Sequence, residues 1–176
     1  FVLVAAGFMF LPDGYFSRNI ADLGPWLTIM PWLLVVLLPA LAMGSWATER
    51  ELGTEEQLMT LPISVSDVIL GKWLGVVSFF TVALLVSGWE AIVVAWLGHW
   101  KPDWGLMVSN YMGWWFAGLV FAAVSIVAST LVSLPSIAFV LGVLFSAAVM
   151  AVFWARDWFD PFNRGLYPVG GLVSTV

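Results

Sequence analysis

The sequence predicts an all-α integral membrane protein, a polytopic bundle of helices, and three observations predict it. Of its 176 residues 62% are hydrophobic and 10% charged, with a mean hydropathy of +1.01. A soluble domain has about 45–50% apolar and about 25% charged residues. The apolar runs are continuous, which suits buried helices and not the alternating strands of a membrane barrel. The 12 Trp and 13 Phe include tryptophans at the ends of those runs, where aromatic belts form at membrane–water boundaries. Composition also excludes several functions. Net charge is −5, from 6 basic and 11 acidic residues, so no polybasic patch exists for nucleic acid or anionic lipid. The absence of cysteine removes disulfides, thiolate metal sites and cysteine nucleophiles, and the single His99 cannot build a multi-histidine metal site.

A helix crosses the hydrocarbon core with roughly 20 apolar residues. Phe1 to Leu11 is apolar but too short, and reads as the end of a first helix cut from a longer protein. Residues 26–48 carry no charge and form the next span, with Pro31 and Pro39 tolerated where neighbouring helices re-satisfy the freed carbonyls. Residues 71–98 form another, interrupted by Lys72 at its edge and Glu90 within. From Asp103 to Arg156 there is no charge at all, too long for one crossing. Ser133-Leu134-Pro135-Ser136 breaks it into a hairpin of residues 106–134 and 136–155, because Pro135 lacks a donor and restricts Leu134. After Asp157, Pro161, Gly165, Pro168, Gly170 and Gly171 suggest a non-spanning loop. Trp96, Trp100, Trp104, Trp154 and Trp158 mark one interface, and Trp46 and Trp73 the other. By charge alone, Arg18, Lys101, Arg156 and Arg164 outvote Arg50 and Lys72, which would place the Arg50 loop outside.

Residues 45–72 are the most polar stretch. Gly53 ends the incoming helix as a C′ glycine. Thr54 with Gln57 has capping-box spacing, and Glu55 and Glu56 sit where a new helix dipole favours anions. That helix carries Leu58, Met59 and Leu61 and stops near Pro62, after which Ser64 and Asp67 cap the next one. A short amphipathic helix so held serves either as an interfacial anchor or as a docking knob for a soluble partner, and the residues alone leave both open.

The wording of this stretch narrows the choice. Pro39-Ala40-Leu41-Ala42-Met43, Trp46-Ala47-Thr48-Glu49-Arg50, Gly53-Thr54-Glu55, Leu58, Thr60-Leu61-Pro62-Ile63-Ser64 and Ile69-Leu70-Gly71-Lys72 resemble the ABC-2-type exporter permeases. They are especially similar to the gliding-motility and copper-processing branch. Pro102-Asp103-Trp104-Gly105, Tyr111-Met112-Gly113 and Phe162-Asn163-Arg164-Gly165 extend the likeness over most of the chain, although only residues 49–72 are specific.

The resemblance implies a single transmembrane domain over residues 1–176, with six spans in the whole protein and four complete here. It makes residues 45–72 a cytoplasmic loop with a coupling helix, against the arginine count. It also implies a multi-pass protein of the cell inner membrane that docks a nucleotide-binding ATPase subunit and pairs with a second permease, as a homo- or heterodimer. ATP and Mg would then reside in the ATPase and no cofactor in this chain. Glu49, Arg50, Gly53, Thr54, Glu55, Glu56, Leu58, Leu61 and Pro62 become the ATPase-docking residues. Glu90 and Leu134-Pro135-Ser136 depart from the family pattern.

Glu90 is the one carboxylate inside a span, where an ionisable group costs about 2.5–3.5 kcal/mol on insertion scales. It would line a translocation path, bind a cation or relay a proton, or else pack two helices. Gly71 and Gly75, Gly113 and Ala117, and Gly142 and Ser146 have small-xxx-small spacing, which suits close helix packing within one chain or a dimer seam. Gly71-Lys72 is not a phosphate loop, since Trp73 stands where Ser or Thr is needed. His99 belongs to a solvated loop beside Lys101 and Asp103. No nucleophile–base pair or metal-ligand cluster seeds an enzyme. Two further readings stay in view: an ion- or proton-coupled carrier or channel subunit centred on Glu90, and a structural membrane subunit that recruits a soluble complex.

Overall fold

The structure, a computed structural model, describes Gly7 and residues 24–60, 62–97 and 104–166. The first-helix remnant, the loop before residue 24, Leu61, His99 with Lys101 and Asp103, and the chain after residue 166 lie outside the described residues. Among the described residues every regular element is a helix: α1 Gly24–Ala42, α2 Ala47–Glu51, α3 Glu55–Met59, α4 Val65–Leu97, α5 Trp104–Thr130 and α6 Pro135–Leu166. Four stretches are long and apolar enough to cross a membrane, Ile29–Glu51, Val65–Val93, Trp104–Thr130 and Pro135–Val152. They are the four expected spans.

The core lies where α1, α5 and α6 meet, with α4 packed mainly along α5. Met30, Leu34, Leu38 and Phe80 are fully buried there. Close approach has a sequence cause at two places. A Cβ at Gly142 would stand 2.9 Å from the Pro39 Cβ, so glycine on α6 admits the proline ring of α1. A Cβ at Gly118 would stand 2.0 Å from the Phe80 Cε1, so glycine on α5 admits the α4 phenylalanine. By contrast, Cβ atoms at Gly71, Gly75 and Gly113 would meet nothing within 4 Å. Of the three small-residue pairs, only the one containing Gly142 approaches another helix of the chain through its glycine.

The boundaries shift from expectation in three places. α1 does not run on to Thr48 but breaks over residues 43–46 before α2 begins. The hairpin break falls at residues 131–134, and Pro135 opens α6 as its first residue, the position where a missing N–H costs nothing. The residues after Asp157 are helical as far as Leu166, where the sequence suggests a loop. Helix α6 continues through Pro161 to Leu166, although the apolar span itself ends at Val152. Trp158, Phe159, Phe162 and Leu166 recur at helical spacing, a signal that outweighs one proline and Gly165.

α4 has 33 residues, about 50 Å at 1.5 Å per residue. It therefore exceeds the core thickness and begins six residues before the expected Gly71. Only 22% of its span and 17% of that of α6 are buried within the chain, against 39% for the other two. These two helices thus present outward apolar surface that includes Phe79, Leu85, Trp89, Leu144 and Val152.

Candidate functional site

The polar stretch between the first two complete spans is built on a turn that would leave backbone groups orphaned. Where α1 stops and α2 starts, the first N–H groups of the new helix lack intrahelical partners. Trp46, the N-cap residue, makes no side-chain cap hydrogen bond. The cap comes from α5 instead. The Ser129 hydroxyl accepts from the N–H of Trp46 at 2.9 Å and of Ala47 at 3.2 Å, and donates to the Met43 carbonyl at 3.2 Å. Ser129 is fully buried, so one side chain pins the break to the end of a different span.

Two cations complete the attachment. Arg50 Nε donates to Glu55 Oε2 at 2.9 Å and Nη2 to Glu55 Oε1 at 3.4 Å, while Nη1 donates to the carbonyl of Thr130, the last residue of α5. A cation over a helix C-terminus also meets the negative end of its dipole. Lys72, near the start of α4, donates to Glu49 Oε1 and to the Ser45 carbonyl. Its ammonium lies 4.6 Å from the centre of the buried Trp46 ring. Trp46 therefore serves as a packed platform for Lys72.

Gly53 adopts φ 69°, the left-handed conformation that favours glycine at C′. It closes α2 as expected and reverses the chain into α3. The expected capping box does not form. Thr54 is in the right-handed helical region with no side-chain cap bond, and its N–H and hydroxyl both turn back to the Glu49 carbonyl, at 2.9 and 3.3 Å. α3 spans only Glu55–Met59, and the Thr60 hydroxyl closes its far end on the Gln57 carbonyl at 2.7 Å. Pro62 stands exposed in the bend that follows. Ser64 then caps α4, accepting from the Asp67 N–H at 3.2 Å.

The sequence-predicted docking residues thus divide into two groups. Glu49, Arg50 and Glu55 are half-buried and face one another or the span ends, whereas Gly53, Thr54, Glu56 and Pro62 are exposed and Leu58 is half-buried; Gln57, outside the predicted set, is exposed beside them. Both cations of the loop are engaged inward. Its exposed charges, Glu51, Glu56 and Asp67, are all acidic. Ser129, Thr130, Ser45 and Lys72 are the site residues that sequence reasoning missed. Hydroxyls at the end of an otherwise uncharged span were the one available signal.

Glu90 belongs to a different part of the molecule. It lies 18 residues beyond Lys72 on α4, about 27 Å along the axis, and is fully buried. A seam of hydrogen bonds joins α4 to α5 along its length. Trp73 Nε1 donates to the Leu119 carbonyl at 3.3 Å, Trp115 Nε1 to Thr81 Oγ1 at 3.0 Å, and the Tyr111 hydroxyl to the Ser87 carbonyl at 3.1 Å. Lipid supplies no hydrophobic drive for helix association, so packing and such bonds, about 0.6 kcal/mol each on average, hold the pair. Trp73, like Trp46, serves a structural contact. Glu90 stands one turn from Ser87 at the end of this seam.

Two grooves open on α5. One of about 740 Å³ lies between Pro31, Asn110, Trp114, Phe121, Met150 and Trp154, and another of about 310 Å³ lies between Thr81, Leu84, Tyr111 and Trp115. Glu90 lines neither of them. Among the described residues no group of three or more His, Cys, Asp or Glu is placed to hold a metal ion.

Comparison with known proteins is consistent with this architecture. A family model described as ABC-2 family transporter protein matches residues 15–173. No curated protein and no solved structure matches the chain.

Proposed function

The chain belongs to the ABC-2 family of transporter proteins, and from that premise we propose that it is the transmembrane permease subunit of an ATP-driven exporter. The observation that carries the reading is the short helix α3, placed between two spans and tied to Arg50 through Glu55, with Glu56 and Gln57 presented outward. A five-residue helix has no stability of its own in water, so its fixation by Arg50 suits a surface that must be rigid when a partner binds. That partner is a nucleotide-binding ATPase, which carries ATP and Mg and meets the loop on the cytoplasmic side of the inner membrane. The acidic exposed charges of the loop suit a basic docking surface and make attachment sensitive to salt. The outward apolar faces of α4 and α6 suit the bilayer and a second permease subunit. The likeness of residues 49–72 to the gliding-motility and copper-processing permeases narrows the branch. Docking and release would tilt the spans in a rigid-body exchange between two packed states.

The test is a mild-detergent pull-down of the full-length protein with its ATPase. Leu58→Asp combined with Glu56→Lys should cut ATPase recovery by about tenfold, as loss of an interface anchor does, and leave helical content and monodispersity unchanged. Undiminished recovery and coupled transport in that variant would remove the docking role.

The carrier reading rests on Glu90. Its complete burial beside a helix–helix seam favours a packing role. Glu90→Gln is expected to keep ATP-driven transport within about twofold, the effect of a conservative change away from the interactions that do the work. A nucleotide-independent, pH-dependent flux abolished by that substitution would establish the carrier instead. Stable partner binding with no transport would establish a structural subunit.

A further inference from the structure

We propose that Arg50 is a positioning residue that yokes the docking helix α3 to the end of α5, so that displacement of α3 by the ATPase moves α5 directly. This inference rests on the permease reading and names a third moving span, because chain connectivity alone would carry motion from α3 only to its neighbours α1 and α4. The argument begins with how little holds α3. It is five residues long, with left-handed Gly53 before it and Pro62 after it, and both junctions are bends. Its firm side-chain attachment is Glu55, gripped through both carboxylate oxygens by the Arg50 fork. The third arm of the same guanidinium reaches the terminal carbonyl of α5 at Thr130. The base of Arg50 is fixed, because the start of α2, which carries it, is pinned to α5 by two backbone N–H groups, of Trp46 and Ala47, that donate to the Ser129 hydroxyl.

Bracket and clasp therefore form one body, consisting of α2, Arg50, Glu55 and the last turn of α5. Lys72 makes a separate clasp, tying the start of α4 to Glu49 and the Ser45 carbonyl. The chemistry of the Arg50 junction is specific to arginine. A planar guanidinium presents donors in a fixed fork with others to spare, whereas a lysine ammonium is a point charge on a flexible stem. Arg50→Lys keeps the charge near Glu55 and loses the simultaneous grip on Thr130. Glu55→Gln leaves Arg50 on Thr130 and releases α3. Both changes act behind the exposed docking surface of Glu56, Gln57 and Leu58.

Residues 1–176 contain no cysteine, so labels can be placed at chosen positions in them. Thr60→Cys at the end of α3 and Leu131→Cys just beyond α5 are spin-labelled in the full-length protein, with any cysteine outside residues 1–176 replaced by serine. The ATPase is then added in lipid nanodiscs, and the label distance is measured without nucleotide and with ATP and vanadate. With Arg50 present the two labels should keep one distance in both states, because α3 and α5 travel together. In Arg50→Lys and in Glu55→Gln the distance should shift between states by more than about 2 Å, the scale of helix displacements in coupled transitions. Transport should fall about tenfold, within the range of site–site coupling, with ATPase recovery unchanged. A distance that already changes with Arg50 in place overturns the yoke, as does normal transport in both variants. If no ATPase binds the unsubstituted protein, the permease reading fails, a result separate from any distance.

Discussion

Gly118→Leu is expected to be the most damaging single substitution in the bundle, with most of the protein lost from the monodisperse fraction in detergent. The Phe80 ring occupies the place of the missing side chain and is fully buried. It has no open space to rotate into. Nor can α4 slide along α5 to relieve the clash, because the Trp73–Leu119, Trp115–Thr81 and Tyr111–Ser87 hydrogen bonds fix the register on both sides. Overpacking a well-filled core costs about 1–3 kcal/mol, and here the alternative is to separate two helices whose contact in lipid depends on close approach. A partner substitution identifies the cause. Phe80→Ala alone should destabilise by cavity formation, about 3–5 kcal/mol for such a truncation, yet combined with Gly118→Leu it should recover part of the loss, since the leucine fills the vacated space. A double-mutant cycle in a denaturing-detergent titration reads that coupling. Strict additivity of the two changes would sink the account, as would a stable Gly118→Leu protein.

The helical membrane class and the number of spans were legible in composition and run length, because the bilayer imposes both. Local signals were equally readable. Gly53 and Ser64 occupy the cap positions that their chemistry suggests, since a C′ glycine and an N-cap serine act on residues one turn away. What stayed hidden depends on partners distant in sequence. Ser129 lies 83 positions from the Trp46 N–H that it receives, and nothing in either segment names the other. Thr54 shows the opposite failure. Its spacing to Gln57 matched a capping box, but Glu49 offered a nearer acceptor and the helix is too short to reward the reciprocal bond. Trp46 and Trp73 read as belt residues because tryptophan favours interfaces. An indole also presents a flat face for Lys72 or an N–H for the Leu119 carbonyl, and only the packed structure decides between these uses. Glu56 stands exposed and Leu58 half-buried, whereas the neighbouring Arg50 and Glu55 pair with each other and Arg50 reaches the end of α5, which supplies a carbonyl that no local pattern announces.

Ser129→Ala should lower stability by about 2–3 kcal/mol, because it strands two buried donors whose desolvation costs about 1–3 kcal/mol each, with water at the membrane surface recovering part of it. The hydroxyl is the sole side-chain cap of α2, and α2 carries both Glu49 and Arg50. Its loss should therefore loosen the whole loop: backbone amides of Trp46 and Ala47 should exchange with solvent faster, and the Lys72 and Arg50 clasps should lose their fixed base. Ser125→Ala is the matched control. Ser125 lies one turn earlier on the same helix, is equally buried, and spends its hydroxyl on the Phe121 carbonyl of its own helix at 2.7 Å. Such back-bonding contributes little to a helix, so that variant should stay within about 0.5 kcal/mol of the parent, as substitutions outside special features do. Equal losses in the two variants would falsify the pinning role and reduce Ser129 to one more buried hydroxyl. The comparison with Arg50 separates two kinds of contribution. A partly exposed surface ion pair is worth about 0.2–1 kcal/mol, so Arg50→Lys should barely change stability while it releases the direct grip of residue 50 on the end of α5. Ser129→Ala should do the reverse at first, weakening the fold of the loop more than the transmission through it. Stability would then reside in the buried serine and coupling in the half-exposed arginine, although both hold the same few residues against the same helix end.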